Sequence, residues 1–256
     1  LLEEMAQITY EEWFVRMKFP GHETVKIDYK TGLPENWREQ SLGDFITIKH
    51  GFAYKGEYFT DSESNRVLLT PGNFKIGGGL KLDKLKYYDN DAESPTDYEL
   101  CKHDLLVTMT DLSKMADTLG YPLLVPGSSD KVFLHNQRLG KILSLPNKPF
   151  PKYFYYMLFK EERYRGFVVG SASGATVKHT SPSKILSFKI HCPALDGELV
   201  LQFNKQLEPI FEIIDHLQQQ NALLREARDI LLPRLMTGMI DVDKVEVPEA
   251  LLERVA

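Results

Sequence analysis

The feature that most constrains the fold is a heptad pattern near the end of the chain. Phe203, Ile210, Leu217, Leu224 and Leu231 recur every seven residues, and Leu207, Ile214, Asn221, Arg228 and Leu235 follow four behind each. Seven residues make two helical turns, so both rows fall on one face of one long helix. Asn221 and Arg228 interrupt the apolar seam with polar groups. Asp196 is placed to cap the helix start. Pro209 removes a backbone donor and predicts a kink; Pro233 predicts a kink or an end, and Gly238 a stop. Such a seam requires a partner helix. Residues 1–18 supply one candidate, a helix with Leu2, Met5, Ile8 or Thr9, and Trp13 on its apolar side. It is too short to cover the seam, so a second chain or residues preceding Leu1 are expected to cover the rest. Asn221 either fixes register in that pairing or faces solvent; both readings stay open.

Between these helices the pattern changes period. Residues 20–36 read as a linker rich in turn residues. Short β-type runs follow at 45–50, 66–70, 104–109, 121–127, 141–145 and 185–191. Residues 151–168 read as one amphipathic helix, with Tyr153, Tyr155, Tyr156 and Phe159 assigned to the core. Helix and strand do not alternate regularly, which predicts an α+β domain rather than a doubly wound sheet. The expected organisation is therefore a helix end at 1–19, a linker at 20–36, a mixed α/β domain at 37–195, a long coiled-coil-type helix at 196–238, and a tail at 239–256 made acidic by Asp241, Asp243, Glu246, Glu249 and Glu253.

Charge is segregated along the chain. Residues 131–195 hold 11 Lys and Arg against 2 acids, although the whole chain has a net charge of −5. No acid occurs from Arg163 to Leu195. Either these bases form a face for a polyanion, or they pair with acids from residues 1–130. Within this tract, "SASGATVKHTSP" (171–182) combines hydroxyls with Lys178 and His179. Ser171, Ser173 or Ser181 beside His179 can be read as a nucleophile and base, but no orienting acid is marked. Other catalytic signatures are missing from the sequence: no G-x-G-x-x-G or Walker-type loop, no G-x-S-x-G elbow, no H-E-x-x-H and no N/D-P-P-Y/F tetrapeptide. Cys101 and Cys192 form no C-x-x-C pair. No apolar run reaches the roughly 20 residues of a membrane span, and no signal-peptide pattern opens the chain, so a cytoplasmic protein is expected.

Several phrases carry a resemblance. "LPENWREQSLGDFITIKHGFAYKGEYF" (33–59), "HDLLVTMTD" (103–111), "LHNQRLG" (134–140), "SASGATVKHTSP" and "LLREARDILLPRLMTGMID" (223–241) resemble, in order, the specificity (S) subunits of type I restriction-modification enzymes. Residues 1–19 resemble the end of that family's central conserved helix. The resemblance implies one target recognition domain and one long helix, that is, the C-terminal half of a full subunit or a half-length subunit that works as a dimer. It implies a non-catalytic chain. Its partners would be double-stranded DNA, methyltransferase (M) subunits, a restriction (R) subunit, and a second copy or other half paired through the long helix. S-adenosylmethionine, Mg and ATP would sit on the partner subunits, with no cofactor or metal in this chain. Phe203, Leu207, Ile210, Ile214, Leu217, Asn221, Leu224 and Leu231 would pair the helices. A standalone DNA-modifying enzyme and a coiled-coil assembly scaffold are the alternatives.

DNA binding asks for phosphate contacts for affinity and base-edge contacts for specificity. Ser173, Lys178, His179 and Thr180 are expected at phosphates, with Gly174 and Ala175 letting the backbone approach, and Arg165 and Lys184 extending the footprint. Base readers are sought in three loops: Lys49, His50, Tyr54 and Lys55; Thr110, Asp111 and Lys114; and Asn136, Gln137 and Arg138. Asn and Gln can pair bidentately with adenine, and Arg with guanine. Asn136–Arg138 can equally hydrogen-bond the loop backbone.

Overall fold

A computed structural model of the 256-residue chain describes residues 1–195 and 197–240. The tail acids from Asp241 onward and the proposed cap Asp196 lie outside the described residues. The chain divides into a first compact unit, Leu1–Glu212, and a second beginning at Ile213.

Among its described residues the first unit holds two larger sheets and two short two-stranded pairs, Arg38–Ser41 with Lys189–Cys192 and Thr110–Asp111 with Lys178–His179. One larger sheet is antiparallel and runs in the order Ile46–His50, Leu139–Ser144, Leu105–Thr108, Pro122–Leu124. The other runs Phe59–Thr60, Lys86–Tyr88, Arg66–Leu69, Val132–His135, Glu99–Leu100, with Arg66–Leu69 and Val132–His135 parallel. That parallel pair is buried on both faces. Val67, Leu69 and Phe133 join one core cluster with Leu106, Leu123 and Leu139 of the first sheet, while Leu68 and Leu134 join Tyr54 and Tyr88 in another. Burial on both sides explains why "VLL" and "FLH" do not alternate apolar with polar. The chain crosses between these two sheets four times, and two of the crossings, residues 51–58 and the tight turn 136–138, run side by side. These crossings position the candidate site.

Among the described residues five α-helices accompany the sheets. Helix α1 (Leu2–Tyr10) continues into a wider turn at Glu11–Val15. Its buried side is Ala6, Tyr10, Trp13 and Phe14; Met5 and Ile8 are exposed, which corrects the expected apolar face. The aromatic rings decide this. Tyr10, Trp13 and Phe14 meet Phe203, and Tyr10 and Phe14 also meet Phe154, in tilted and edge contacts with centroids 4.9–6.1 Å apart. The helix expected at 151–168 is two, α2 (Lys152–Leu158) and α3 (Glu162–Gly170). In α2 every residue from Tyr153 to Leu158 is buried, whereas α3 buries only Tyr164 and Val168, so no single stripe runs through both. Extended Glu161 separates them, and its carboxylate accepts a bond from Tyr10 Oη at 3.0 Å. The strand expected at 185–191 is replaced by α4 (Pro182–Leu186) and a strand Lys189–Cys192. Pro182 at the first helical position, and Ser181 accepting from Lys184 N, start that helix.

Helix α5 spans Glu198–Met236, through both Pro209 and Pro233. Gly238, at φ +68°, follows its end, where Ile240 N donates to Arg234 O. Inside the first unit Phe203, Leu207 and Phe211 are buried at spacing four, with Phe211 stacked on Tyr153 at 4.6 Å. Phe203 and Leu207 thus pack on their own domain. In the second unit Leu217, Leu223, Leu224, Ile230, Leu231, Leu232 and Leu235 are exposed.

Candidate nucleic-acid interface

Residues 51–58 and 136–138 cross at close range. Gly51 N donates to Leu139 O, Phe52 N to His135 O, and Gln137 N back to Phe52 O. A Cβ on residue 51 would lie 2.2 Å from Asn136 O, so glycine is required for the approach. One strand further, Met109 N donates to Arg138 O, and Thr180 N donates to Met109 O. Thr110–Asp111 then pairs antiparallel with Lys178–His179. Four loops, distant in sequence, are thereby joined edge to edge by main-chain hydrogen bonds.

The hydroxyl-rich loop closes on itself. Ser173 and His179 exchange both backbone bonds, and Gly174 sits at φ +95° where a Cβ would meet Val177 O at 2.0 Å. His179 Nδ1 lies 3.1 Å from Thr110 Oγ1, and among the described residues no serine hydroxyl is hydrogen-bonded to its ring, so the serine–histidine reading finds no geometric support there. Thr180 Oγ1 is buried without a hydrogen-bond partner.

The sequence-nominated residues separate into two groups. His50, Lys55, Lys114, Gln137, Arg138, Ser173 and His179 are exposed, and Lys178 is half-buried. Lys55 reaches Glu57 at 3.7 Å, an exposed pair of small worth, and Lys114, Arg138 and Lys178 form no ion pair among the described residues. The second group is used inside the fold. Asp111 is buried and accepts from Ser113 N at 2.6 Å, Thr118 N at 2.5 Å and Thr118 Oγ1 at 2.8 Å. Burial opposes its charge, but these donors outweigh it and hold the carboxyl below its usual range. Asn136 is buried, and its Oδ1 accepts from Arg138 N, a local turn that turns Gln137 and Arg138 outward. Thr110 and Tyr54 are buried as well. Lys49 donates to Asp97 O at 2.8 Å and lies over the Tyr98 ring. Arg165 donates to Ala116 O at 2.9 Å and stacks 4.0 Å over Tyr121. These residues build the loops and leave presentation to the first group.

The basic tract is likewise divided. Lys131, Lys141, Lys160 and Lys189 pair with Glu63, Asp104, Glu3 and Glu39, all from the first 130 residues. It is therefore not one basic face. His135 was not nominated from sequence, yet its carbonyl receives the crossing bond from Phe52, and its Nε2 lies 3.0 Å from Leu139 O. Burial lowers its pKa to about 4, so it is neutral near pH 7. A histidine inside a β-run carries no sequence signal that separates this role from others.

Comparison with known proteins gives consistent matches. The profile of the family described as "Type I restriction modification DNA specificity domain" matches residues 34–231. The type I restriction enzyme MjaIX specificity subunit of Methanocaldococcus jannaschii is 23% identical over 258 residues, which cover 96% of this chain and 54% of that protein. Among solved structures, a type I restriction-modification S subunit from M. genitalium superimposes with a TM-score of 0.51 at 16% identity, over 83% of this chain and 48% of that one. The second likeness is one of fold. The chain spans about half the length of each relative.

Proposed function

The chain belongs to the type I restriction-modification DNA specificity family, and from that premise we propose that it is a DNA sequence-specificity module that performs no chemistry itself. It binds double-stranded DNA through the four joined loops and docks methyltransferase and restriction subunits. S-adenosylmethionine, Mg and ATP belong to those partners, and the reading carries a cytoplasmic location with it. The observation that supports it most is the convergence of the four loops into one strip of bonded backbone. Rigid scaffolding below, with exposed Gln137, Arg138, Lys114 and His50 and half-buried Lys178 above, is the division of labour that sequence readout requires.

Within that strip, Gln137 and Arg138 are the base readers. They sit on a two-sided turn anchored by Asn136 and by the Phe52 bonds, and their side chains carry the paired donors and acceptors that match purine edges. Lys178, with the hydroxyls and backbone around Gly174, grips phosphate. The exposed leucines of α5 beyond Ile213 pair with a second copy or with the other half of a longer subunit.

A salt series tests the binding claim. In complex with its methyltransferase subunits, the chain should bind duplex DNA with log K falling linearly against log salt, by about 0.9 per phosphate contacted. Absence of binding, or binding indifferent to salt, would overturn it. Methylation or cleavage of DNA by this chain alone, given S-adenosylmethionine or Mg, would overturn the non-catalytic assignment.

A further inference from the structure

The loop from Asp111 to Leu119 leaves two large apolar side chains in water. Leu112 is 63% exposed and Met115 is 79% exposed. A lone exposed leucine is ordinary on a protein surface. Three observations set this pair apart.

The loop is held from several sides. Asp111 receives the three bonds from Ser113 and Thr118, Asp117 N donates to Ser113 Oγ at 3.0 Å, and Leu119 N bonds back to Ala116 O. Arg165 clamps the Ala116 carbonyl from α3. Ala116 is buried at φ +55°, a left-handed turn that directs the chain back toward the core. The apolar tip is thus not floppy, and its ordering is complete before any ligand arrives.

The tip also adjoins the phosphate grip, because Asp111 is the strand partner of Lys178. The third observation is a cleft of about 490 Å³ between residues 71–81 and 111–118. Leu112 lines it together with Ile76, which is 72% exposed, and with Lys75 and Lys81. Lys81 faces Asp83 at 3.8 Å, and Asp117 also lines the cleft. Lys75, Lys114 and Lys178 form no ion pair among the described residues. An apolar point with Lys114 in its own loop, Lys178 opposite its strand and Lys75 across the cleft suits a ligand with anionic rails and an apolar interior.

We propose that the Leu112–Met115 tip is an apolar wedge that enters the base stack of bound DNA. It rests on the DNA-binding reading above and adds a second mode of recognition. Leu, Ile and Met are the side chains that part neighbouring base pairs in proteins that kink DNA. Pyrimidine–purine steps unstack most readily, so the wedge selects a deformable step without hydrogen-bonding either base. Preference would then extend to positions that Gln137 and Arg138 do not touch.

The test uses the full chain with its methyltransferase subunits and duplexes selected by that complex from a randomised pool. 2-Aminopurine is walked along the selected site, one position per duplex. The wild type should raise the fluorescence severalfold at one step. In Leu112→Ser/Met115→Ser that signal should vanish, with affinity down about tenfold and the salt slope unchanged, since no charge is removed. Leu112→Met/Met115→Leu should restore it. A signal shared by wild type and the serine variant belongs to a base moved by another part of the complex. If no signal is lost in that variant, the wedge is overturned. Loss of affinity for the methyltransferase with unstacking intact would make the tip a protein contact and overturn it equally. Failure of the wild type to enrich any duplex would overturn the DNA-binding reading itself.

Discussion

At the scale of residues, neighbours in one loop do different work. Asn136 anchors its turn while Gln137 and Arg138 face out, and Asp111 anchors its loop while Lys114 faces out. Lys178→Ala should weaken binding to selected and random duplexes about equally and reduce the salt slope by about one, as measured by anisotropy titration. A loss confined to the selected duplex would move Lys178 into the base-reading group. His135 gives a pH prediction. Burial lowers its folded pKa to about 4, below the 6.5 of an exposed histidine, so the unfolded chain takes up the proton first. Stability is therefore full above about pH 6.5 and falls as pH drops toward 4, by about 3 kcal/mol in all. Thermal unfolding across that range should show the fall, and His135→Gln, which retains a donor for the Leu139 carbonyl, should flatten it. An unchanged pH profile in the variant would place the titration elsewhere. The sequence carried the residue types of the site but not their division. Asn136, Gln137 and Arg138 are equally plausible readers until the turn shows which side chain closes it.

At the scale of elements, spacing identified the long helix and most of the inner strands, because burial on one or both faces imposes a period. It failed where pairing rather than pattern sets the structure. Arg38–Ser41 is polar throughout, and is a strand because it pairs with Lys189–Cys192 while Gln40 donates to Cys192 O and Pro193 O. On α1, the apolar residues Met5 and Ile8 marked the wrong side, because the larger aromatic surface of Tyr10, Trp13 and Phe14 controls the packing. In α5 the heptad reading was continuous, yet its first turns are covered by the chain's own aromatic cluster. Along the heptad rows, the described leucines stand exposed only beyond Ile213. Leu224→Glu/Leu231→Glu should abolish concentration-dependent association in sedimentation, with the melting of the recognition domain unaltered. Equal mass distributions for wild type and variant would show that this seam pairs with nothing in solution.

For the whole molecule, the two larger sheets meet where the chain passes from one to the other, and two of the loops that cross there are extended by the paired Thr110–Asp111 and Lys178–His179 segments into the strip. Their convergence was not legible in the sequence, because it depends on main-chain bonds between residues as far apart as Phe52, Arg138 and Thr180. The order of family-like phrases indicated the family, and the fold explains how one scaffold can hold the strip. The most direct measurement of the central claim is selection of duplexes from a randomised pool by the assembled complex, wild type against Gln137→Ala/Arg138→Ala. Each lost bidentate contact is worth about 1–3 kcal/mol of discrimination. The enriched motif should lose its preference at one or two adjacent positions and keep the others. An identical motif from both proteins, or no motif from the wild type, would contradict it.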